Sequence, residues 1–379
     1  MVTETYPPEV NGVARTAARM AEGLRARGHE LQLVRPRQNG ADVAANEPGL
    51  RELLRPGLPI PRYPQLRFGL PAGRALARAW RERRPDVVSV VTEGPLGRSA
   101  VSAARRLGIP VVTEFHTNFH AYSGHYGIGW MRRPILAYLR RFHRRAACTL
   151  VPTRELAAQL AAMGIERVRV VGRGVDHGTF SPARRSAELR RSWGASERTP
   201  VALCVSRFAP EKNFPLVLEA WRAMRLVRPD TKLVLVGDGP MRAALERSGA
   251  DCIVAGRKLN GELAAYYASA DIFLFPSETE TFGIVTLEAM ASGLAVLAYD
   301  YAAAREHLQN GVSALLAPPG DRHAFIVRAQ LLARDVEFAR RLGRAARQAA
   351  ESLGWDRVVG DFEAALAQAA SGAGGRDAA

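Results

Sequence analysis

The chain has 379 residues, 47% apolar and 24% charged, with 34 Gly and 23 Pro; the length predicts two domains, and the composition excludes a disordered, collagen-like or disulfide-dense protein. Its 53 basic and 37 acidic residues leave a net charge of +16. Residues 1–175 hold 28 Arg, no Lys and 13 acidic residues, a net of +15, which predicts an anionic partner for the first half: a membrane surface, a nucleic acid or a polyanionic substrate, against a background in which 50 Arg to 3 Lys is also the mark of a GC-rich genome.

Only Met1 and Val2 precede the loop TETYPPEVNGVA, so the opening strand is expected to be very short or to lack residues upstream. Apolar runs of four to seven residues then alternate with Ala/Arg/Leu-rich helical stretches. Strands are expected at 31–34, 86–91, 109–114, 148–152 and 168–172, with helices at 13–28, 71–84, 96–107, 131–146 and 153–163. After a Gly- and Pro-rich break at 172–199, which also holds a helix at 184–193, strands follow at 200–206, 232–236, 251–255, 271–276, 294–298 and 312–316. Short apolar strands separated by helices predict parallel sheets covered on both faces, and two such series predict two doubly wound domains. The expected division is 1–175, 176–354, a helix at 355–370 and a disordered tail at 371–379. No run of about 18 apolar residues predicts a transmembrane helix, and the N-terminus lacks the pattern of a secretory signal. Cys148, Cys204 and Cys252 sit apart in apolar stretches, the pattern of buried free thiols in a reducing cytosol.

Several stretches combine residue types that suit one chemistry. Glu280 and Glu288 bracket a Gly-containing loop and a helix start, where the backbone N–H groups of Phe282, Gly283, Ile284 and Val285 suit an anionic or hydroxylated ligand. Arg207 and Lys212 follow the strand PVALCVS and place two cations where a leaving diphosphate could be neutralised. His116 follows the strand IPVVTE, and strand ends are where open α/β sheets bind ligands; an imidazole there can bond a hydroxyl or help move a proton. His120 and His125 read as loop residues. Gly12, after Asn11 and before a helix, permits close approach of a diphosphate. The turn Gly237-Asp238-Gly239-Pro240 imitates a nucleotide loop, but Arg242 stands where a third glycine would be needed. No Asp-x-Asp, no His/Cys/Asp cluster with ligand spacing and no P-loop occurs, so neither a metal nor another cofactor is expected. The segment 131–146 sets Arg132, Arg133, Arg140, Arg141, Arg144 and Arg145 beside Ile135, Leu136, Leu139 and Phe142. It suits an anionic membrane surface, or a core-packed amphipathic helix with a solvated arginine face. Nothing in the chain has the form of a nucleic-acid-binding motif.

Taken together, residues 3–370 resemble the retaining glycosyltransferases of family 4, whose GT-B fold sets two Rossmann-like domains facing a cleft. Their last helix crosses back to the first domain. The resemblance rests on the spacing from Glu280 to Glu288 with its flanks, on Val205–Phe214 and on the Phe115–Phe119 segment. It implies that Glu280 meets the donor sugar hydroxyls, Glu288 the ribose, and the amides of Phe282, Gly283 and Ile284 the sugar and diphosphate. It likewise implies that Arg207 and Lys212 hold the diphosphate, that His116 is functional, and that Asn11 and Gly12 lie on the diphosphate and acceptor side. Val254 and Arg257 would border the base, or form a plain strand and turn. Many relatives carry Gly-Gly before the next Glu after the helix of Glu288, where this chain has Asp300-Tyr301-Ala302-Ala303-Ala304-Arg305-Glu306, so that turn is expected to be shaped differently. The implied activity is transfer of a hexosyl unit, of mannose or glucose type, from a nucleotide diphosphate sugar, with retention and without metal. The implied acceptor is a lipid at the cytoplasmic face of the membrane, with no protein partner. A soluble sugar acceptor and a non-catalytic nucleotide-sugar-binding module are the alternatives.

Overall fold

The computed structural model of the protein describes residues 1–9, 11–60, 63–116, 132–248 and 251–374. They form two units, one of Met1–Arg173 with the chain from Trp355 onward, the other of Gly174–Gly354.

The first unit runs α1 (Gly12–Ala26), β1 (Leu31–Pro36), β2 (Asn46–Glu47), β3 (Leu50–Arg55), β4 (Gly57–Ile60), β5 (Tyr63–Gly69), α2 (Gly73–Glu82), β6 (Val88–Val90), α3 (Pro95–Arg106), β7 (Val111–Glu114), α4 (Arg132–His143), β8 (Cys148–Val151), α5 (Arg154–Ala162) and β9 (Val168–Val170). β3 pairs parallel with β1, and β6, β7, β8 and β9 form a parallel run in that order. Val2 joins the two runs. It bridges Val34 and Val90, donates to the Ser89 carbonyl at 2.8 Å and accepts from the Val91 amide at 2.8 Å.

The elements between Pro36 and Leu70 have no counterpart in the sequence reading. β3 is LRELLR, and its charges hide a strand pattern. Glu52 is nevertheless buried, because Arg35 of β1 donates to it at 3.0 Å and to Asp42 at 2.7 Å. The antiparallel β4–β5 hairpin carries Pro59, a residue that argues against a strand interior.

The second unit runs α6 (Ala187–Ser192), β10 (Val201–Val205), α7 (Phe214–Val227), β11 (Lys232–Val236), α8 (Arg242–Glu246), β12 (Ile253–Gly256), α9 (Asn260–Ser269), β13 (Ile272–Phe275), α10 (Ile284–Ala291), β14 (Ala295–Tyr299), α11 (Ala302–His307), β15 (Ala314–Ala317), α12 (Arg322–Arg334) and α13 (Val336–Ala350). Its sheet is parallel in the order β12-β11-β10-β13-β14-β15. Side chains alternate between two cores: Val201, Leu203 and Val205 enter one, Ala202 and Cys204 the other. That is why these strands read as unbroken apolar runs.

α14 (Trp355–Gly374) belongs to the first unit and extends beyond the expected end at residue 370. Its Val359 and Phe362 are buried with Met20, Ala21 and Leu24 of α1. A Cβ on Gly23 would lie 2.4 Å from Val359 Cγ2, so the two helices meet at a glycine. Among the described residues no helix is long and apolar enough to cross a membrane. The cysteines are free, but only Cys204 is fully buried; Cys148 and Cys252 are half-buried, a correction to the sequence reading. Burial pushes the Cys204 thiol up to about 12.

Candidate active site

In the second unit the strand order reverses between β10 and β13, so the loops leaving these two strands lie side by side at the end where such sheets take ligands. The first loop carries Arg207 and Lys212, the second Ser277 and Glu280. The topology therefore brings together two pairs of groups 65 or more residues apart in sequence. Lys212 Nζ donates to Glu280 Oε1 at 2.5 Å and to Ser277 Oγ at 3.3 Å, and Ser277 Oγ donates to the same carboxylate at 3.0 Å. Lys212 also lies 5.9 Å from the centre of the Phe275 ring. Arg207 bonds Glu211 Oε1 at 2.5 Å and keeps 41% of its side chain exposed, so it meets solvent while Lys212, at 12%, is largely enclosed. Burial pushes the Glu211 carboxyl up, but its own amide, Arg207 and Lys212 outweigh this and hold it below its ordinary value.

The loop owes its shape to the turn Gly237–Pro240, which imitates a nucleotide loop in sequence only. A Cβ on Gly237 would sit 1.8 Å from the Ser206 carbonyl and one on Gly239 2.6 Å from that of Phe208. The Phe208 amide donates to Asp238 O at 2.9 Å and the Met241 amide to Phe208 O at 3.0 Å. The Gly-Asp-Gly-Pro turn is thus the buttress beneath Arg207.

Across the switch point, α10 opens at Gly283, whose φ of 84° lies in the left-handed region, and the Ile284 and Val285 amides occupy the helix's first turn. Phe282 is buried, and its carbonyl accepts from the Ala303 amide at 2.9 Å. The Tyr301 hydroxyl donates to Ser277 O at 2.7 Å, so the segment after β14 straps the Glu280 loop in place. Ala302, in the stretch where relatives carry Gly-Gly, has φ 51°. The turn thus has a backbone that favours glycine at a position held by alanine. One turn along α10, Glu288 is 1% exposed and accepts from the Tyr267 hydroxyl at 3.0 Å. Val254 lies mid-strand against the core that holds Trp221 and Met224, whereas Arg257, just past β12, is exposed.

The remaining candidates lie in the first unit. Asn11 caps α1: its Oδ1 accepts from the Ala14 amide at 2.8 Å and its Nδ2 donates to Thr5 Oγ1 at 2.7 Å. Gly12 is exposed, and a Cβ there would meet nothing within 4 Å, so packing within the chain does not demand glycine. His116 is buried with both ring nitrogens engaged. Arg173 donates to Nδ1 at 3.1 Å, which leaves Nε2 to donate to Glu114 Oε2 at 2.8 Å. In this arrangement neither nitrogen is open to a sugar hydroxyl, which limits the role the sequence reading gave it. Burial pushes the Glu114 carboxyl up, yet His116, Arg173 and Ser89 together hold it below its ordinary value. Burial also pulls Arg173 down to about 10, against the pull of Glu114. His120 and His125 lie outside the described residues.

This sheet also reverses, between Val2 and β6, and there a second carboxylate pair collects. The Glu4 amide donates to Thr92 Oγ1 at 2.9 Å, and Glu4 Oε1 accepts from the Leu96 amide at 2.8 Å, at the start of α3. Burial raises the Glu4 carboxyl to about 7, and nearby Glu93 adds to the rise. Sequence reasoning passed over Glu4, Glu93, Glu114, Arg173, Tyr267 and Ser277. Position at a strand end could have found Ser277; Tyr267 carries the signature of a core aromatic and nothing more.

For the apolar side of α4 the structure agrees with the second of the two readings the sequence left open. Leu139 and Phe142 are buried in the protein, so its apolar stripe is used for packing, while Arg133, Arg140, Arg141 and Arg144 are exposed and Arg145 is half-buried. The Arg132 side chain lies outside the described residues.

Comparison with known proteins finds two matching families, Glycosyltransferase Family 4 over residues 10–179 and Glycosyl transferases group 1 over residues 185–349. The chain is 36% identical over 372 residues to a GDP-mannose-dependent alpha-mannosyltransferase of Mycobacterium tuberculosis, covering 96% of each. It is 27% identical to an alpha-monoglucosyldiacylglycerol synthase of Acholeplasma laidlawii, covering 78% of each. In structure it resembles sucrose-phosphate synthase of Thermosynechococcus elongatus, with a TM-score of 0.79, 19% identity, and coverage of 97% and 98% of the two chains.

Proposed function

The chain belongs to glycosyltransferase family 4 and has the GT-B fold, and from that premise we propose that it moves a mannosyl unit from GDP-mannose to a hydroxyl of a lipid. The carrying observation is the Lys212–Glu280 pair beside Arg207 at the switch point of the second unit. It sets cations for a diphosphate next to a carboxylate for sugar hydroxyls. The donor follows from the mannosyltransferase relative, the acceptor class from the diacylglycerol-glycosylating one.

In the proposed reaction the bond from the sugar's C1 to the β-phosphate oxygen breaks, and Arg207 and Lys212 take up the charge that gathers on the leaving diphosphate. Glu280 orients the sugar through its hydroxyls. Glu288, braced by Tyr267, receives the ribose. The acceptor oxygen bonds to C1 on the face the phosphate leaves, and its proton passes to the departing phosphate oxygen. The configuration is retained and the product is an α-glycoside. The two cations supply the charge that a bound metal supplies elsewhere, so the reaction needs none. The arginine-rich first half holds the enzyme at the anionic cytoplasmic face of the membrane as a peripheral protein.

Radiolabelled GDP-mannose incubated with the protein and a membrane extract tests this. Label in the organic phase is expected. Label in the aqueous oligosaccharide fraction would replace the lipid with a soluble acceptor, and nucleotide binding without transfer would overturn the enzymatic reading.

A further inference from the structure

On the first unit, α3, α4 and the segment from Pro71 to Arg74 enclose a groove of about 850 Å³. Its inner wall is apolar: Leu139 is buried, and Ile135 and Tyr138 are half-buried. Arg74, Arg98 and Arg106 stand exposed along it, with the Arg98 guanidinium 6.0 Å from the centre of the Tyr138 ring. Arg74 and Arg106 also border a neighbouring cleft with Arg78 and Arg81, and Arg98 borders another with Arg141 and Arg145. Seven arginines of the first half thus border this groove and the two clefts beside it.

These arginines differ from others of the unit. Arg35 is bound by Asp42 and Glu52, Arg83 by Glu30 and Arg27 by Glu363. Among the described residues Arg74, Arg78, Arg81, Arg98 and Arg141 pair with no carboxylate, although Glu82 borders the neighbouring cleft. Glu93 also lines the groove and is 4% exposed. Its Oε1 is buried without a hydrogen bond, 3.6 Å from His143 Nε2, which also lacks one. A buried carboxylate oxygen in this state calls for a donor.

We propose that this groove seats an anionic glycerolipid. Its chain lies over Ile135, Tyr138 and Leu139, its phosphate lies among Arg74, Arg98 and Arg106, and a head-group hydroxyl donates to Glu93. The proposal rests on the lipid-acceptor reading and gives it a place. An apolar wall alone would take any hydrocarbon; the unpaired arginines select the anionic head, and Glu93 selects one that carries a hydroxyl.

The test is calorimetric titration of the full chain with dihexanoyl phosphatidylglycerol below its micelle concentration. Saturable one-to-one binding is expected, weakening as salt rises. Ser102→Trp, which fills the groove from α3, should abolish it. Arg74→Gln with Arg98→Gln should weaken it about tenfold or more. Dihexanoyl phosphatidylcholine and glycerol phosphate should each bind at least about tenfold more weakly, lacking the net charge and the chain respectively. A thermal melt checks that the variants fold; should Ser102→Trp fail to fold, the arginine variant and the ligand series decide. Absence of saturable binding, equal binding of phosphatidylcholine or glycerol phosphate, or indifference to the groove variants would overturn the proposal. The two readings fail separately. Transfer of label to lipid by a protein with no groove binding removes the groove alone, and groove binding without lipid labelling removes the acceptor assignment alone.

Discussion

Glu280→Gln should separate donor binding from transfer. In the structure Glu280 holds Lys212, the cation assigned to the diphosphate, at 2.5 Å, with the two side chains 14% and 12% exposed. Two unit charges about 4 Å apart interact by about 4 kcal/mol at an effective dielectric near 20. Residual solvent contact reduces that to roughly 1–2 kcal/mol. Glutamine keeps the shape and removes the charge, so Lys212 is released toward the phosphates. GDP should then bind roughly fivefold to thirtyfold more tightly, each tenfold being about 1.4 kcal/mol. Transfer should fall by about 10²- to 10³-fold, the scale of one lost charge-stabilising contact. Calorimetry with GDP and a radiolabel assay with GDP-mannose read the two effects. Lys212→Met, which removes the cation, should lower both. Weaker GDP binding in Glu280→Gln, or transfer within about threefold of the parent, would refute the assignment.

EDTA should leave transfer intact, and a loss restored by Mg²⁺ would end the metal-free reading. Tyr267→Phe removes the hydroxyl bonded to Glu288 and should weaken GDP by about 0.5–1.5 kcal/mol in calorimetry, with a smaller effect on kcat; equal GDP affinity would free Glu288 from dependence on Tyr267. Ala302→Gly relieves a non-glycine residue at φ 51° and should raise the urea midpoint by about 1 kcal/mol equivalent. Glu4 titrates at about 7 in the folded chain against an ordinary 4.5, so the folded state retains the proton that the unfolded chain releases. Its contribution is therefore present below pH 4.5 and is lost as pH rises toward 7. Glu4→Gln should gain roughly 2–3 kcal/mol on the parent between pH 5 and pH 8 in denaturant titrations, and parallel curves would refute the shift.

The alternating elements were legible because each buried parallel strand is an unbroken apolar run, as in Val201–Val205 and Ile272–Phe275. β3 was not, because a charged strand looks like a loop until Arg35 is known to cover Glu52. The Arg207, Lys212 and Glu280 set was visible through spacing and resemblance, but the pairing of Lys212 with Glu280 depends on strand order, which no local pattern encodes. His116 shows the opposite limit. Its strand-end position was plain, yet its partner Arg173 is 57 residues away, and only the fold reveals that both ring nitrogens are taken. The helix 131–146 read equally well as membrane-facing or core-packed, since the pattern of Leu139 and Phe142 is the same whether protein or lipid covers them.

The return of the chain to the first unit at Trp355 bears on biosynthesis. The nascent first unit leaves the ribosome without α14, so Met20, Ala21 and Leu24 wait for Val359 and Phe362, which are translated after the whole second unit. The second unit is complete in the nascent chain before Trp355 is added. Truncation just before the last helix therefore damages the oldest part of the molecule and spares the newest. Val175 and Gly354 bridge where the outgoing and returning segments meet, and a proteolytic nick in the outgoing one leaves the second unit joined to the rest of the first only through α14, which packing on α1 holds in place.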